Sequence, residues 1–298
     1  MTYRKTAQIA VEAQPTPILY SNGSIWTANY GSASINRIDP ATNTVTHRIS
    51  SIFLTSKPVA LAEDQFGNVW VACNDYYGGS VSRIDPATNT ITASVATADG
   101  LNPIGLGMGA GELWASYNLS AGFYERFDTT TLLSTGSVGS TGYSYNFVDD
   151  GTHVWFDTGG SCKKVVPATN AITTITTGIV NGLGFLHYAF GYVWRVCNQG
   201  IQRVDPTTNA LTTITLSGNQ VYGMTDDGTD LIVSDIGGEI YVVDPTSFTV
   251  KQQLSNPPIF FWGTTFGGGS IWANNRGIGS VLRFTPFGVG WVRGHAWG

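Results

Sequence analysis

The sequence predicts an all-β protein: a single seven-bladed β-propeller, four antiparallel strands per blade, with the ring closed by the N-terminal strand. Three recurrences carry this prediction. A Gly-x-Ile/Val-Trp segment places anchor tryptophans at Trp26, Trp70, Trp114, Trp155, Trp194 and Trp272, and Ile232 holds the sixth place in order. Their spacing of roughly 38 to 44 residues is a propeller-blade period. Behind each anchor comes a turn: Asp39-Pro40, Asp85-Pro86, Asp205-Pro206 and Asp244-Pro245, degenerating to Asp128-Thr129, Val166-Pro167 and Thr285-Pro286. Two places before the turn stands a basic residue in six of the seven blades: Arg37, Arg83, Arg126, Lys164, Arg203 and Arg283.

Residues 57–97 show how one repeat reads physically. Lys57 to Ala62 is a short apolar strand with Pro58 at its entrance, and Glu63 to Gly67 turns the chain. Asn68 to Cys73 is rich in β-branched and aromatic residues, which favour a pleated, half-buried surface. Ser80 to Ile84 alternates apolar and polar side chains, the pattern of a strand with one buried face. In the turn Asp85-Pro-Ala-Thr-Asn89, Pro presets φ, Asp and Thr bond nearby amides, and Asn tolerates the left-handed conformation. Thr90 to Val95 is the outer strand. Because the basic residue recurs with the turn, a local structural partner, either a turn carboxylate or a blade edge, explains it better than a binding surface.

An open ring would expose two strand edges. The last blade has three strands, near Phe260–Thr265, Ser270–Asn274 and Ser280–Phe284, so Arg4–Val11 is expected to supply the fourth. The propeller then covers residues 1–290, and 291–298 form a Trp-rich tail containing Trp291 and Trp297.

A net charge of −5 with only 12% charged residues carries no nucleic-acid footprint. No apolar run approaches the roughly 18 residues that span a membrane, and the N-terminus has no secretory pattern. The expected setting is therefore cytoplasmic or virion-associated rather than secreted. Cys73, Cys162 and Cys197 are widely spaced, form no C-x-x-C pair, and read as small buried residues.

The repeat Gly-x-Ile/Val-Trp-Val-Ala-Asn…Val-x-Arg-Ile-Asp-Pro-Ala-Thr-Asn-Thr-Val resembles the YVTN-type and virginiamycin-B-lyase-like propeller families over nearly the whole chain. The lyase resemblance implies a central metal held by carboxylates and a histidine base at the ring's mouth. The five glutamates, Glu12, Glu63, Glu112, Glu125 and Glu239, do not supply that cage: none reads as an inner-strand residue facing the axis. No metal and no cofactor are expected.

Two sets of residues are candidates for function. Aligned inner strands show small residues at alternate positions, Ala60, Gly105, Asn146, Gly223, Gly263 and Ala62, Gly107, Thr225, Thr265, with bulkier Leu61, Leu106, Phe147, Leu186 and Met224 between them. The expectation is that the small set faces the axis and the bulky set lies between blades. Phe185 and His187 break the small set and point into the channel. His187 is the one catalytic candidate, although its own strand offers no carboxylate to tune it. The second set surrounds one mouth: Tyr30, Asp75, Tyr76, Tyr77, Tyr117, Tyr145, Trp262 and Arg276, residue types that make adaptable contacts with proteins or glycans. Asn and Asp at the same loops are equally explained as turn caps, and the two Asp-Asp-Gly-Thr segments at Asp149 and Asp226 read as hairpin turns rather than calcium loops.

The main functional expectation is a non-enzymatic recognition or assembly module that binds a protein or glycan through one mouth, with a phage or virion host-contact component as one setting. The alternative is a virginiamycin-B-lyase-like enzyme centred on His187.

Overall fold

The computed structural model describes residues 1–50, 57–75, 79–97, 101–118, 123–139, 142, 144–178, 185–216, 219–255 and 260–287. Tyr76, Tyr77 and the 291–298 tail lie outside the described residues. Among the described residues, seven four-stranded antiparallel sheets follow one another around a ring. In blade one the strands are Pro15–Ser21, Ser24–Asn29, Ser34–Asp39 and Thr44–Ile49, from the axis outward. No described helix is long and apolar enough to cross a membrane.

The anchor tryptophans are all fully buried. Burial of an indole requires a partner for its N–H, and the hairpin just before supplies it. Trp26, Trp114, Trp194 and Trp272 donate to the carbonyls of Ser21, Gly109, Ala189 and Gly267, while Trp70 and Trp155 donate to the Asp64 and Asp150 carboxylates. Cys73, Cys162 and Cys197 are buried as well, and burial pushes the Cys197 thiol up to about 11.

The basic residues do more than the sequence suggested. Five of the six lie over their own blade's tryptophan, Arg37 at 5.1 Å from the Trp26 ring and Arg283 at 4.8 Å from Trp272. From there these five reach the turn of the next blade, and Arg126 also pairs with Glu112 of its own blade at 3.4 Å. Arg37 donates to the Pro86 carbonyl (2.6 Å) and Asn89 Oδ1 (2.8 Å), and Arg83 to the Thr129 carbonyl. Arg126 and Lys164 donate to the carbonyls of Pro167 and Pro206. Arg283 bridges back to the Pro40 carbonyl and Asn43 in blade one. The turn carboxylates are otherwise engaged: Asp39 and Asp85 each accept from the amide two residues on and from the Thr42 or Thr88 hydroxyl. Asn43 and Asn89 are the left-handed residues of these turns, with φ of 57° and 56°. Arg203 instead lies between the Tyr192 ring and the next blade's Phe248 ring, at 4.3 and 4.7 Å.

Blade six lacks both partners, with Ile232 in place of the tryptophan and Val242 opposite it in place of the base. The closing strand fills that gap. Tyr3–Ala10 pairs antiparallel with Ser280–Pro286, one residue earlier than expected at each end. Fully buried Tyr3 packs with Ile232, Ile240 and Val242, and its hydroxyl donates to Asp227 Oδ2 (2.6 Å). Asp227 occupies the place from which Asp150 accepts the Trp155 indole, so Ile232 frees that carboxylate for Tyr3. The Gln252 amide grips the Tyr3 backbone at both N and O, each at 2.7 Å.

The inner strands correct one expectation. The small residues face the following blade, not the axis. A Cβ on Gly105 or Gly107 would collide with Ser144 or Phe147 in blade four, and one on Gly223 would come within 2.8 Å of the Thr264 amide in blade seven. Leu61 and Leu106 pack toward the preceding blade. Inner strands present a backbone edge to the axis, so their side chains alternate between the two neighbouring blades.

Two outcomes are expected from these contacts. Arg283→Ala should lower unfolding stability by about 2 kcal/mol, from lost hydrogen bonds and cation–π contact, whereas Arg48→Ala, at the exposed Glu12 pair, should change it by under about 1 kcal/mol. Urea titrations of both variants check this. Tyr3→Ala should destabilise by about 3 kcal/mol or more and expose the Ser280–Pro286 edge, read as dimers or aggregates by size-exclusion chromatography.

Candidate functional site

At the mouth where the inner strands begin, the register slips by one residue in five blades: between Pro15 and Ile18, Pro58 and Ala60, Pro103 and Gly105, Val221 and Gly223, and Phe261 and Gly263. A bulge leaves a residue unpaired and re-aims its side chain. The residues so released, Pro17, Val59, Ile104, Tyr222 and Trp262, all line one central cavity of about 380 Å³. Tyr145, at the matching place in blade four, lines it too, as does Phe185 in blade five. Every blade therefore contributes to this cavity, and its walls are largely apolar.

Polar lining groups are mostly spent inside the protein. The Asn146 amide bonds both backbone groups of Leu186 (2.7 and 2.8 Å), the Thr264 hydroxyl donates to Ser234, and the Thr16 hydroxyl to the Gln14 carbonyl. The rim is aromatic. Trp262 lies 4.5 Å from Tyr222 and stacks on Phe260 at 5.7 Å, and Tyr145 stacks on Phe185 at 5.4 Å. Arg276 is the charged residue of the lining. Its guanidinium sits 4.4 Å from the Trp262 ring and 5.5 Å from Tyr30, whose ring also carries Lys57 Nζ at 4.8 Å. Burial pushes the Tyr222 phenol up, and Arg276 pulls it partly back.

The structure thus gathers Tyr30, Tyr145, Trp262 and Arg276 at one cavity. Asp75 is half-buried on the same face, outside the lining, with its amide donating to Asn102. Tyr117 is placed elsewhere. It is fully buried in the blade-two and blade-three core, its hydroxyl donating to Glu125 at 2.8 Å. Tyr222 was missed, although its position just before Gly223 matches that of Trp262 before Gly263. The loop acids and amides do cap turns: buried Asp157, Asp235 and Asn275 each accept from the amide two residues on, in Gly159, Gly237 and Gly277. In the Asp-Asp-Gly-Thr hairpins, Asp149 and Asp226 accept from Gly151 and Gly228 in the same way.

His187 has a carboxylate partner that its own strand does not show. Its Nε2 lies 2.7 Å from Oδ2 of Asp226, on the inner strand of blade six. The pair is about a quarter exposed and lies outside the lining of the mouth cavity. The His187 hydrogen bond holds the Asp226 carboxyl below its usual value of 3.8, against burial, which pushes it up.

No family model matches the chain, and none of the curated proteins does. Solved structures do match. Virginiamycin B lyase from Staphylococcus aureus superposes with a TM-score of 0.83 at 15% identity, covering 96% of this chain and all of that one. A streptogramin B lyase structure gives 0.80 at 15%, over 95% and 97% of the two chains. A catalytically inactive histidine-to-alanine variant of the Staphylococcus aureus enzyme with quinupristin gives 0.80 at 16%, over 96% and 100%. The chain is therefore a seven-bladed β-propeller that resembles these lyases at the level of the fold.

The metal that this resemblance implies does not fit the residues at the mouth. Among the described residues its lining holds no carboxylate and no histidine, and the Arg276 guanidinium repels a cation. Among the described residues no three of His, Cys, Asp and Glu converge. Glu63 ends the inner strand Lys57–Glu63, but it lies at the far end from the mouth, beside Asn22 and Ser21 of blade one.

The His187–Asp226 pair generates a pH prediction. A carboxyl depressed in the folded state adds stability above its unfolded value, near 3.9, and loses it as pH falls through the folded value. His187→Gln should move the Asp226 titration up toward the usual range, followed by carboxyl-carbon NMR, and flatten the acid limb of the stability profile below pH ~4.

Proposed function

We propose that this propeller is a recognition or assembly module, not an enzyme, which binds a partner protein or glycan through the aromatic mouth. The observation that carries the reading is the central cavity: all seven blades line it, aromatic rings rim it, and among the described residues its lining holds no histidine, carboxylate, lysine or cysteine. A cavity of this size with apolar walls and a few polar groups is the usual form of a binding site. The apolar floor favours a protein side chain over a hydroxyl-rich sugar, since Asn146, Thr16 and Thr264 are already engaged.

One observation favours a second reading, a lyase-like enzyme around His187: the Asp226 carboxylate that orients its ring. The pair lies apart from the cavity lining, so a ligand held at the mouth does not meet it there. A phage tail or host-contact protein is a setting that suits a binding propeller of this Ser-, Thr-, Asn- and Gly-rich composition.

Trp262→Ala should weaken partner binding by tenfold or more, as truncation of a central aromatic anchor costs about 2 kcal/mol or more, while His187→Ala leaves binding unchanged. Titration of both variants against peptide and glycan libraries by surface plasmon resonance tests the reading. Equal binding by wild type and Trp262→Ala would count against the mouth.

A further inference from the structure

We infer that the mouth takes the C-terminal residue of a partner polypeptide: an apolar or aromatic last side chain enters the cavity and its α-carboxylate seats on Arg276. The inference rests on the mouth being the binding site and goes further in naming what enters it.

Arg276 carries the charge of the described cavity lining. Among the described residues, no carboxylate or carbonyl accepts from its guanidinium, which is held between Trp262 and Tyr30 by ring faces alone. Arg283, by contrast, spends donors on Ser270, Pro40 and Asn43, and buried Arg195 spends its own on Asp157, Gln202 and Gly159. A planar guanidinium with its fork uncommitted matches a carboxylate. Lys57, whose Nζ lies 4.8 Å from the Tyr30 ring, adds a second positive charge to the rim. This happens on a chain of net charge −5, so the mouth is positive against an acidic background. Of the described carboxylates at the second-strand ends on that face, Asp75 is half-buried and outside the lining, Asp157 is paired with Arg195, and Asp235 accepts from its own turn and from Tyr241.

Below the guanidinium the walls are Leu61, Ile104, Leu106, Leu186 and Met224. The ligand must therefore join an apolar body to an anion within a few bonds. A chain terminus does this: its carboxylate shares a Cα with the last side chain. An internal Asp or Glu brings the charge without the apolar body, and an internal Leu or Phe brings the body without the charge.

The probes are a pentapeptide ending in Phe with a free carboxylate, the same peptide amidated, and N-acetylphenylalanine. Binding is measured by isothermal titration calorimetry, with chemical shifts of the Trp262 indole N–H marking the site. The expected result is that the acid peptide binds about tenfold more tightly than the amide, the worth of one charge-assisted contact. Arg276→Gln should abolish that preference without weakening the amide, Arg276→Lys should restore part of it, and N-acetylphenylalanine should bind more weakly than the peptide. Thermal melts of both variants check folding. Equal binding of acid and amide by the wild type overturns the inference; if Trp262→Ala still weakens both, the mouth remains the binding site. N-acetylphenylalanine binding as tightly as the peptide overturns the polypeptide terminus in favour of a small acid. If none of the three probes shifts the Trp262 signal while a glycan does, this inference fails and the mouth stands as a glycan site. If no ligand of either class shifts it, both readings fail.

Discussion

The ring depends on one contact repeated around it: a basic side chain, laid over the tryptophan of its own blade, that bonds the turn of the next. A single blade cannot bury its faces alone; its core is completed by the neighbouring sheet. The bridge from Arg37 to Pro86 and Asn89, or from Lys164 to Pro206, fixes the angle at which the two sheets meet. It also satisfies a turn carbonyl that two packed sheets would otherwise leave without a donor. Three features of the repeat are thus one device. The tryptophan provides the platform, the base provides the reach, and the Asp-Pro turn holds its carbonyl outward because its own Asp has already engaged the turn amides.

The exception explains the closure. A ring made from one chain must end somewhere, and the end cannot offer a hairpin turn to the preceding blade. Blade six gives up its tryptophan and its base together, leaving Ile232 and Val242, and Tyr3 of the closing strand enters from blade seven. The direction of the contact reverses, but its parts are conserved in kind: an aromatic ring in the core, a hairpin carboxylate at Asp227, and a side chain, Gln252, that satisfies the arriving backbone. Ile232 is therefore a requirement of closing the circle rather than decay of the repeat.

Period and pattern made the architecture legible because each blade states the same local rules: the strand alternation, the turn chemistry and the anchor. What crosses between blades was not legible. Asp226 stands 39 residues from His187, on another strand, so no reading along one strand could pair them. The orientation of the small residues failed for a similar reason. Gly105 and Gly223 are small because the next blade's backbone passes over them, a constraint set by the ring and not by the axis. Tyr117 shows the limit of reading loops by composition: it ends a second strand as the mouth residues do, but Glu125 on the adjacent strand draws it into the core. Trp262 and Tyr145 were recoverable because strand entrances face the mouth, and Tyr222 became visible only once the bulge had been seen to re-aim that position.

The distribution of charge follows from the same geometry. Between close-packed sheets an ionisable group survives only if paired, and the chain pairs them: Arg195 with Asp157 deep between blades four and five, His187 with Asp226 between blades five and six. Each pair engages a carboxylate between neighbouring blades. Asp235 is spent on its own turn and on Tyr241. The mouth is left with rings, aliphatic walls and Arg276, a cation stacked on rings and without a carboxylate partner among the described residues. Most structural cations in this ring are satisfied by backbone or carboxylate, and Arg203 lies between the Tyr192 and Phe248 rings; Arg276 lies against ring faces at the cavity itself. A propeller that spends its acids on holding itself together keeps, at its centre, a surface suited to holding something else.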